Sequence, residues 1–299
     1  MILLTGSTGY IGSHISHILE KNKIKYIGID NLSKSSINNL VNKKRFLKLD
    51  YGNENEIIKF FANNSISSVI HCPGHHHHLK QKKKKKIYFN NNVKKTKKFI
   101  NEFIKKKIKN FIFLSSSNVY KDTNKKKIEN SKIKLSYIQN NYGKTKFLIE
   151  RFLISKKKNF QNLIILRLFN IVGYTDSFKY SEKKIDKNLR IFPLIFKKII
   201  KKKYISIYVK NRNNRLIYPK RDYLHINDLL NLIIKIIKKL NKFDKKEIYN
   251  VGMGINYSLN EILTLISKKL PKKMKKNLKL RHKKISSKEL ISTLSDVKK

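Results

Sequence analysis

Tyr142 and Lys146 stand four residues apart in Asn140-Asn141-Tyr142-Gly143-Lys144-Thr145-Lys146. Four residues is just over one helical turn, so on a helix the phenol and the ammonium share a face. A free tyrosine ionises near pH ~10 and is a weak base at neutrality. A fixed positive charge beside it favours the phenolate and brings its pKa toward the working range, which would make the pair an acid/base unit. With 15 Tyr and 70 Lys plus Arg in 299 residues, such a spacing gains meaning only from its company.

That company begins at the amino end. Thr5-Gly6-Ser7-Thr8-Gly9-Tyr10-Ile11-Gly12-Ser13 follows an apolar run and opens an amphipathic segment. Glycines there allow a tight turn, let backbone N–H groups approach a pyrophosphate, and let helix pack on strand. The helix N-terminus meets the negative charge. The spacing is Gly-x-x-Gly-x-x-Gly. Asp30 closes the next apolar run, where an acid accepts ribose hydroxyls and repels a 2′-phosphate, which favours NAD over NADP. Asp50, after Phe46-Leu47, is placed to reach the adenine.

Short apolar runs alternate with longer amphipathic ones, the pattern of a parallel sheet covered by helices. Strands are expected at Met1–Thr5, Lys25–Asp30, Ser68–Cys72, Asn110–Ser115 and Leu163–Leu168, with helices at Ile11–Lys21, Asn55–Asn63, Tyr88–Lys106 and Tyr142–Ser155. Right-handed crossovers put every strand's C-terminal end, and each motif above, on one edge. The fold class is therefore α/β: a Rossmann-type, doubly wound parallel sheet over residues 1–170, with a smaller and more irregular substrate lobe over 171–299. Segments at about 226–255, including Leu229–Ile237 and Val251-Gly252-Met253-Gly254, are expected to return to the first lobe, so the two interleave.

The formal charge of +51 suggests a polyanion partner on its face. Lys, Asn, Ile, Phe and Tyr are abundant, Ala62 is the only alanine and there is no Trp. All the enriched residues have A/T-rich codons, so nucleotide bias accounts for the charge more economically than a nucleic-acid partner. Lysines such as Lys82–Lys86 and Lys201–Lys203 sit at almost every exposed helical position rather than in a stripe interleaved with aromatics. No specific nucleic-acid role is expected, only salt-sensitive polyanion binding. One cysteine, Cys72, excludes a disulfide within the chain and fits a reducing compartment. Ile2-Leu3-Leu4 runs straight into the glycine loop without a basic region, unlike a signal peptide. No run approaches the ~18 apolar residues of a membrane span. The expectation is a soluble cytoplasmic protein.

Together with Asp30-Asn31-Leu32, Val69-Ile70-His71, Asn91-Asn92-Val93, Ser115-Ser116-Ser117-Asn118-Val119-Tyr120, Leu166-Arg167-Leu168-Phe169-Asn170, Arg221-Asp222-Tyr223-Leu224-His225 and Tyr249-Asn250-Val251-Gly252, these motifs make the chain resemble the extended short-chain dehydrogenase/reductase family over almost its whole length. Within that family the likeness is greatest to the branch that inverts C4 of UDP-glucose and UDP-galactose. Relatives that eliminate water or handle a carboxyl group carry an acid where Ser117 and Asn118 stand, and many have a shorter connection than Tyr208–Arg221.

The resemblance implies an NAD-dependent isomerase. Tyr142 would take the proton of the sugar 4-hydroxyl while hydride leaves C4, with Ser116 bonding the same hydroxyl. Lys146 would hold the nicotinamide ribose and stabilise the phenolate. The 4-keto sugar would turn over and take the hydride back on its other face. Gly6, Gly9, Tyr10, Ile11, Gly12, Asp30, Asn31, Asp50, Tyr51, Asn91, Tyr142, Lys146 and Phe169 are the implied cofactor contacts. Ser116, Tyr142, Asn170 and Arg221 are the implied UDP-sugar contacts, Arg221 on the diphosphate. No metal is expected, because the neighbours His75–His78 cannot all reach one ion and lack nearby acids or cysteines. A homodimer through the helices at Tyr88–Lys106 and Tyr142–Ser155 is also implied.

The chain departs from the family pattern in places. His75–His78 replace a Gly-Leu-Lys loop that meets the cofactor, with His76 in the lysine's place, and Pro73 replaces a small residue. In the register that sets Asp296 on a late family aspartate, Ser286 falls where a diphosphate-binding arginine is usual, leaving Arg281 or Lys283 to compensate. Arg190 stands for an asparagine, with Asn188 close by. The chain is expected to stop short of the family's closing helix. Alternatives are a 4-epimerase of UDP-N-acetylhexosamine or UDP-uronate, a decayed NAD-binding remnant, and a polyanion-binding protein on an old fold.

Overall fold

The structure is a computed structural model that describes residues 1–74, 84–123, 125–175, 191–212, 215–242, 244–284 and 292–298. The chain begins β1 (Ile2–Thr5), α1 (Tyr10–Lys21), β2 (Tyr26–Asp30), β3 (Phe46–Lys48), α2 (Glu54–Asn63), β4 (Ser68–His71), α3 (Lys84–Phe89), α4 (Lys95–Lys105), β5 (Asn110–Ser116), α5 (Asn141–Ser155) and β6 (Asn162–Leu168). It continues with β7 (Asn170–Val172), α6 (Ile191–Ile200), β8 (Ile205–Arg212), β9 (Arg215–Ile217), β10 (Lys220–His225), α7 (Ile226–Lys239), β11 (Lys246–Val251), β12 (Asn256–Ser258), α8 (Leu259–Lys269), α9 (Lys272–Lys275) and β13 (Leu280–Lys284).

Seven parallel strands form the main sheet in the order β11-β6-β5-β4-β1-β2-β3. β1, β4, β5 and β6 are buried at every position, as continuous apolar runs covered on both faces must be. Neighbouring residues supply opposite faces. Leu4, Ile70 and Ile112 pack with Ile15 and Leu19 of α1 and Leu229 and Ile233 of α7. Leu3, Val69 and Phe111 pack with Ile57 of α2, Phe99 and Phe103 of α4 and Leu153 of α5. α7 and β11 thus join the main sheet after the chain has left it.

The remaining strands form two three-stranded sheets, β12-β10-β7 and β13-β8-β9. Ile195 and Ile199 of α6, Ile205, Ile207 and Val209 of β8 and Leu263 of α8 make a separate small core. A capping box between Ser258 and Glu261 starts α8. This part is more regular than its sequence suggests.

Two local expectations need correction. The helix expected to run unbroken over Tyr88–Lys106 is α3 and α4 joined by a π-helical turn at Asn90–Lys94. Within that turn the Asn91 carbonyl takes the Tyr51 hydroxyl at 2.9 Å and Asn92 Nδ2 donates to Thr145 Oγ1 at 3.2 Å. Those tertiary bonds hold the turn, and the successive Asn90, Asn91 and Asn92 are weak helix formers that resist it little. The three residues Phe46–Lys48, not expected as a strand, pair with β2. Leu47 and Lys48 are exposed there, so no apolar alternation marks the strand in the sequence.

Candidate active site

Thr5, Asp30, His71, Ser116 and Leu168 end β1, β2, β4, β5 and β6 along one edge of the sheet. The strand order reverses between β1 and β4, and ligands of open α/β sheets bind outside such a switch point. A cavity of about 740 Å³ opens on the β5–β6 side of this edge. Its lining unites Tyr10, Ile11, Ser116, Tyr142, Phe169, Asn170 and Arg221, seven of the expected site residues. Phe192, Phe196, Tyr208 and Tyr223 add an aromatic wall from the smaller lobe. The sequence gives no local sign that these four gather there.

The glycine loop supplies the β1 side of the crevice. Gly6 has φ +69°, and Gly9 N–H bonds the Gly6 carbonyl at 3.2 Å. A Cβ on Gly12 would lie 2.0 Å from that same carbonyl oxygen, so any larger residue forces α1 away from β1. No side chain caps the N-terminus of α1, whose N-cap is Gly9. A twelve-residue helix whose N-terminus no side chain caps, beside a glycine turn, fits a pyrophosphate. Tyr10 Oη reaches across to the Gly173 carbonyl at 2.7 Å, tying the start of α1 to the strand after the cavity.

At the far end, Asp30 Oδ1 accepts from Leu32 N–H at 2.9 Å, while Asn31 Nδ2 donates to Asp50 Oδ2 at 3.1 Å. Asp50 also accepts from Lys95 Nζ at 2.5 Å and Gly52 N–H at 2.8 Å. Burial works to raise the pKa of Asp50, but the bonds from Lys95, Gly52 and Asn31 outweigh it and leave the carboxyl below its ordinary value. Lys95, which the sequence did not single out, comes from α4, just past the π turn. Tyr51 packs edge-on against His71 and Phe99, and burial raises its pKa.

Tyr142 and Lys146 occupy the first turns of α5. Asn140 caps this helix by accepting from Gly143 N–H at 2.7 Å. Tyr142 faces the cavity, and Lys146, only 3 % exposed, lies behind it with Nζ 5.8 Å from the Tyr142 ring centre. The ammonium donates to the carbonyls of Leu114 at 2.8 Å and Pro73 at 3.0 Å. Pro73 therefore serves Lys146 through its carbonyl. Burial brings the Lys146 pKa down to about 8, with Cys72 and Glu150 acting to raise it. A Cβ on Gly74 would sit 3.1 Å from Lys146 Nζ and 3.3 Å from Tyr142 Cε2, so the chain after β4 passes close over the pair. Ser116 is 8 % exposed and its Oγ accepts from Asn118 N–H at 3.2 Å.

Other functional motif residues prove to hold the frame. Arg167 meets Glu150 in a buried ion pair, Nη2 to Oε2 at 2.8 Å, and donates to Tyr120 Oη at 2.8 Å. Tyr120 in turn donates to Asn250 Oδ1 at 2.7 Å. Asp222 is fully buried and accepts from the N–H groups of Met253, Gly254 and Ser295. It thereby fastens residues 292–296 beside Arg221, whose Nη1 donates to the Lys220 carbonyl. Arg281 lies on exposed β13 and donates to Ser206 Oγ at 3.1 Å, while Lys283 pairs in register with the cavity residue Tyr208. His75–His78, Asn188, Arg190 and Ser286 lie outside the described residues. Among the described residues, no group of three or more His, Cys, Asp or Glu could hold a metal ion.

The model of the NAD dependent epimerase/dehydratase family matches residues 2–252. The chain belongs to that family. As a member it is NAD-dependent, and the glycine turn, the start of α1 without a side-chain cap and Asp30 suit that cofactor. The UDP-glucose 4-epimerase of Pasteurella multocida is 32 % identical over 287 residues, covering 91 % of this chain and 85 % of that protein. The UDP-glucose 4-epimerase of Haemophilus influenzae is 31 % identical, covering 89 % and 82 %. Among solved structures, UDP-glucose 4-epimerase from Bifidobacterium longum in complex with NAD+ and UDP superposes with a TM-score of 0.85 at 24 % identity, covering 100 % of this chain and 90 % of that one. The Stenotrophomonas maltophila UDP-glucose-4-epimerase with bound NAD and formylated UDP-arabinopyranose gives 0.86 at 19 % identity, covering 99 % and 89 %. These last two likenesses speak for the fold of the family member described here.

Proposed function

We propose that this chain interconverts UDP-glucose and UDP-galactose by transient oxidation at sugar C4. The observation that carries the reading is the meeting of Tyr142, Ser116 and Arg221 on one cavity, with the Lys146 ammonium directly behind the phenol. Relatives named UDP-glucose 4-epimerase, similar over most of their length, support the choice of sugar.

When bound, NAD supplies a reversible hydride acceptor at this end of the crevice. Tyr142 takes the proton of the 4-hydroxyl as C4 is oxidised, and Ser116 bonds the same oxygen. Lys146 stabilises the phenolate by its charge. Arg221 holds the diphosphate through a guanidinium suited to phosphate oxygens. Anchored there, the 4-keto sugar turns over, and Tyr142 returns its proton as C4 is reduced on the opposite face. Ser117 and Asn118 bring no carboxylate to the β5 tip, so elimination of a hydroxyl has no proton donor there.

The test is a coupled assay of UDP-galactose conversion for the chain and for Tyr142→Phe. Removing a positioned base should lower kcat roughly 10²–10⁴-fold. Equal rates in the two proteins would sink the assignment.

The same reading makes the protein a cytoplasmic homodimer joined through α3–α4 and α5. None of the described helices is long and apolar enough to cross a membrane. Ile87, Phe89 and Ile154 are exposed apolar side chains on those elements. A monomeric mass in sedimentation at physiological salt would refute the dimer.

A further inference from the structure

Glu150 is 1 % exposed and lies four residues beyond Lys146 on α5. The two side chains grip consecutive residues of β5. Lys146 donates to the Leu114 carbonyl at 2.8 Å, and Glu150 accepts the Ser115 hydroxyl at 2.5 Å. Ser116, facing the cavity, is the next residue. Arg167 clamps the carboxylate from β6, with Nε 3.1 Å from Oε1 and Nη2 2.8 Å from Oε2. Its Nη1 reaches Tyr120 Oη at 2.8 Å and the Glu129 carbonyl at 3.1 Å. Two successive turns of α5 are thus pinned to the tips of β5 and β6, and Tyr142 sits on the turn just before them.

We propose that Glu150 is a positioning residue for the Tyr142–Lys146 pair: its clamped carboxylate fixes the height of α5 against β5 and presents a negative charge to the Lys146 ammonium. The inference rests on the epimerase reading. Among the described residues, the other titratable groups around Lys146 are His71 and Cys72 from β4 and its end, and Tyr142 on α5 itself. Glu150 is, among the described residues, the carboxylate that acts on Lys146, and its charge favours the protonated lysine. Around Glu150 stand Arg167 and Tyr120, so its own charge is held by a guanidinium that does not titrate.

The experiment compares the wild-type chain, Glu150→Gln and Glu150→Asp in the UDP-galactose assay across pH, with NAD saturating. Glu150→Gln keeps the shape and loses the charge. It should lower kcat about tenfold or more with KM within about twofold, and move the alkaline limb of kcat to lower pH by about half a unit or more. Glu150→Asp keeps the charge and withdraws it by one methylene, so kcat should fall while the limb stays in place. Wild-type kcat and an unmoved limb in Glu150→Gln, with only a lower Tm, would overturn the proposal. If that variant does not fold, full kcat in Glu150→Asp overturns it alone. An inactive wild-type chain defeats the epimerase reading itself, a result distinct from either.

Discussion

Arg167 of β6 and Lys146 of α5 are both buried, and their surroundings differ in kind. Arg167 has a carboxylate, Glu150, in two-pronged contact, together with a phenol and a carbonyl. Burial alone would lower its pKa, but Glu150 more than reverses that and the net shift is upward. Lys146 has carbonyl acceptors instead, and burial holds its pKa at about 8. A cation that only joins elements is locked in its charged form by an opposite charge. A cation beside a reacting phenol is satisfied by neutral dipoles, which leaves its charge to act on its neighbours.

The contrast breaks first at Arg167. Arg167→Met leaves the Glu150 charge buried without its partner, and such a loss costs about 3–5 kcal/mol. Urea melts should show that drop, and an unchanged midpoint would mean the ion pair is not holding the frame. Lys146→Met sharpens the other side. The folded pKa of about 8 lies below the ordinary 10.5, so between those values the unfolded chain binds more protons and stability rises with pH. Relative to Lys146→Met, the wild type should gain up to roughly 3 kcal/mol over that window, at about 1.4 kcal/mol per pKa unit. Its kcat should fall over the same window as the ammonium is lost. Stability and rate declining together would contradict this account.

A third cation gives the smallest effect. Lys95 also faces a carboxylate, Asp50, but with a third of its side chain in solvent. Screening by water reduces that pair to about 1 kcal/mol or less. Lys95→Met should therefore shift Tm by a few degrees at most, and weaken NAD binding about tenfold or less by freeing the Asp50 carboxyl to move. A hundredfold loss of NAD affinity would show that Lys95 touches the dinucleotide directly.

Much of this architecture was legible because its signals are local. The glycine run, Asp30 at a strand end and the Tyr142–Lys146 spacing each fix their geometry within a few residues, and the buried strands read as unbroken apolar runs. What escaped depends on distant partners. Nothing near Asp222 announces that it takes backbone N–H groups from Met253, Gly254 and Ser295. Lys95 is one of many lysines until folding brings Asp50 to it. The smaller lobe looked irregular because β13 pairs with the remote β8, and because lysines on exposed faces mask the strand period.

The π turn at Asn90–Lys94 holds one residue more than an α-helix would accommodate in the same stretch. Each helical residue advances about 100° around the axis. Deleting a single asparagine there would restore an ordinary ladder of backbone bonds, and the four residues left would turn the chain through about the same angle as the five do now, so α3 and α4 would keep their facing. The extra residue is carried as a local widening of the helix, and its loss would fall on the bonds that the turn makes to Tyr51 and Thr145 rather than on the direction of either helix.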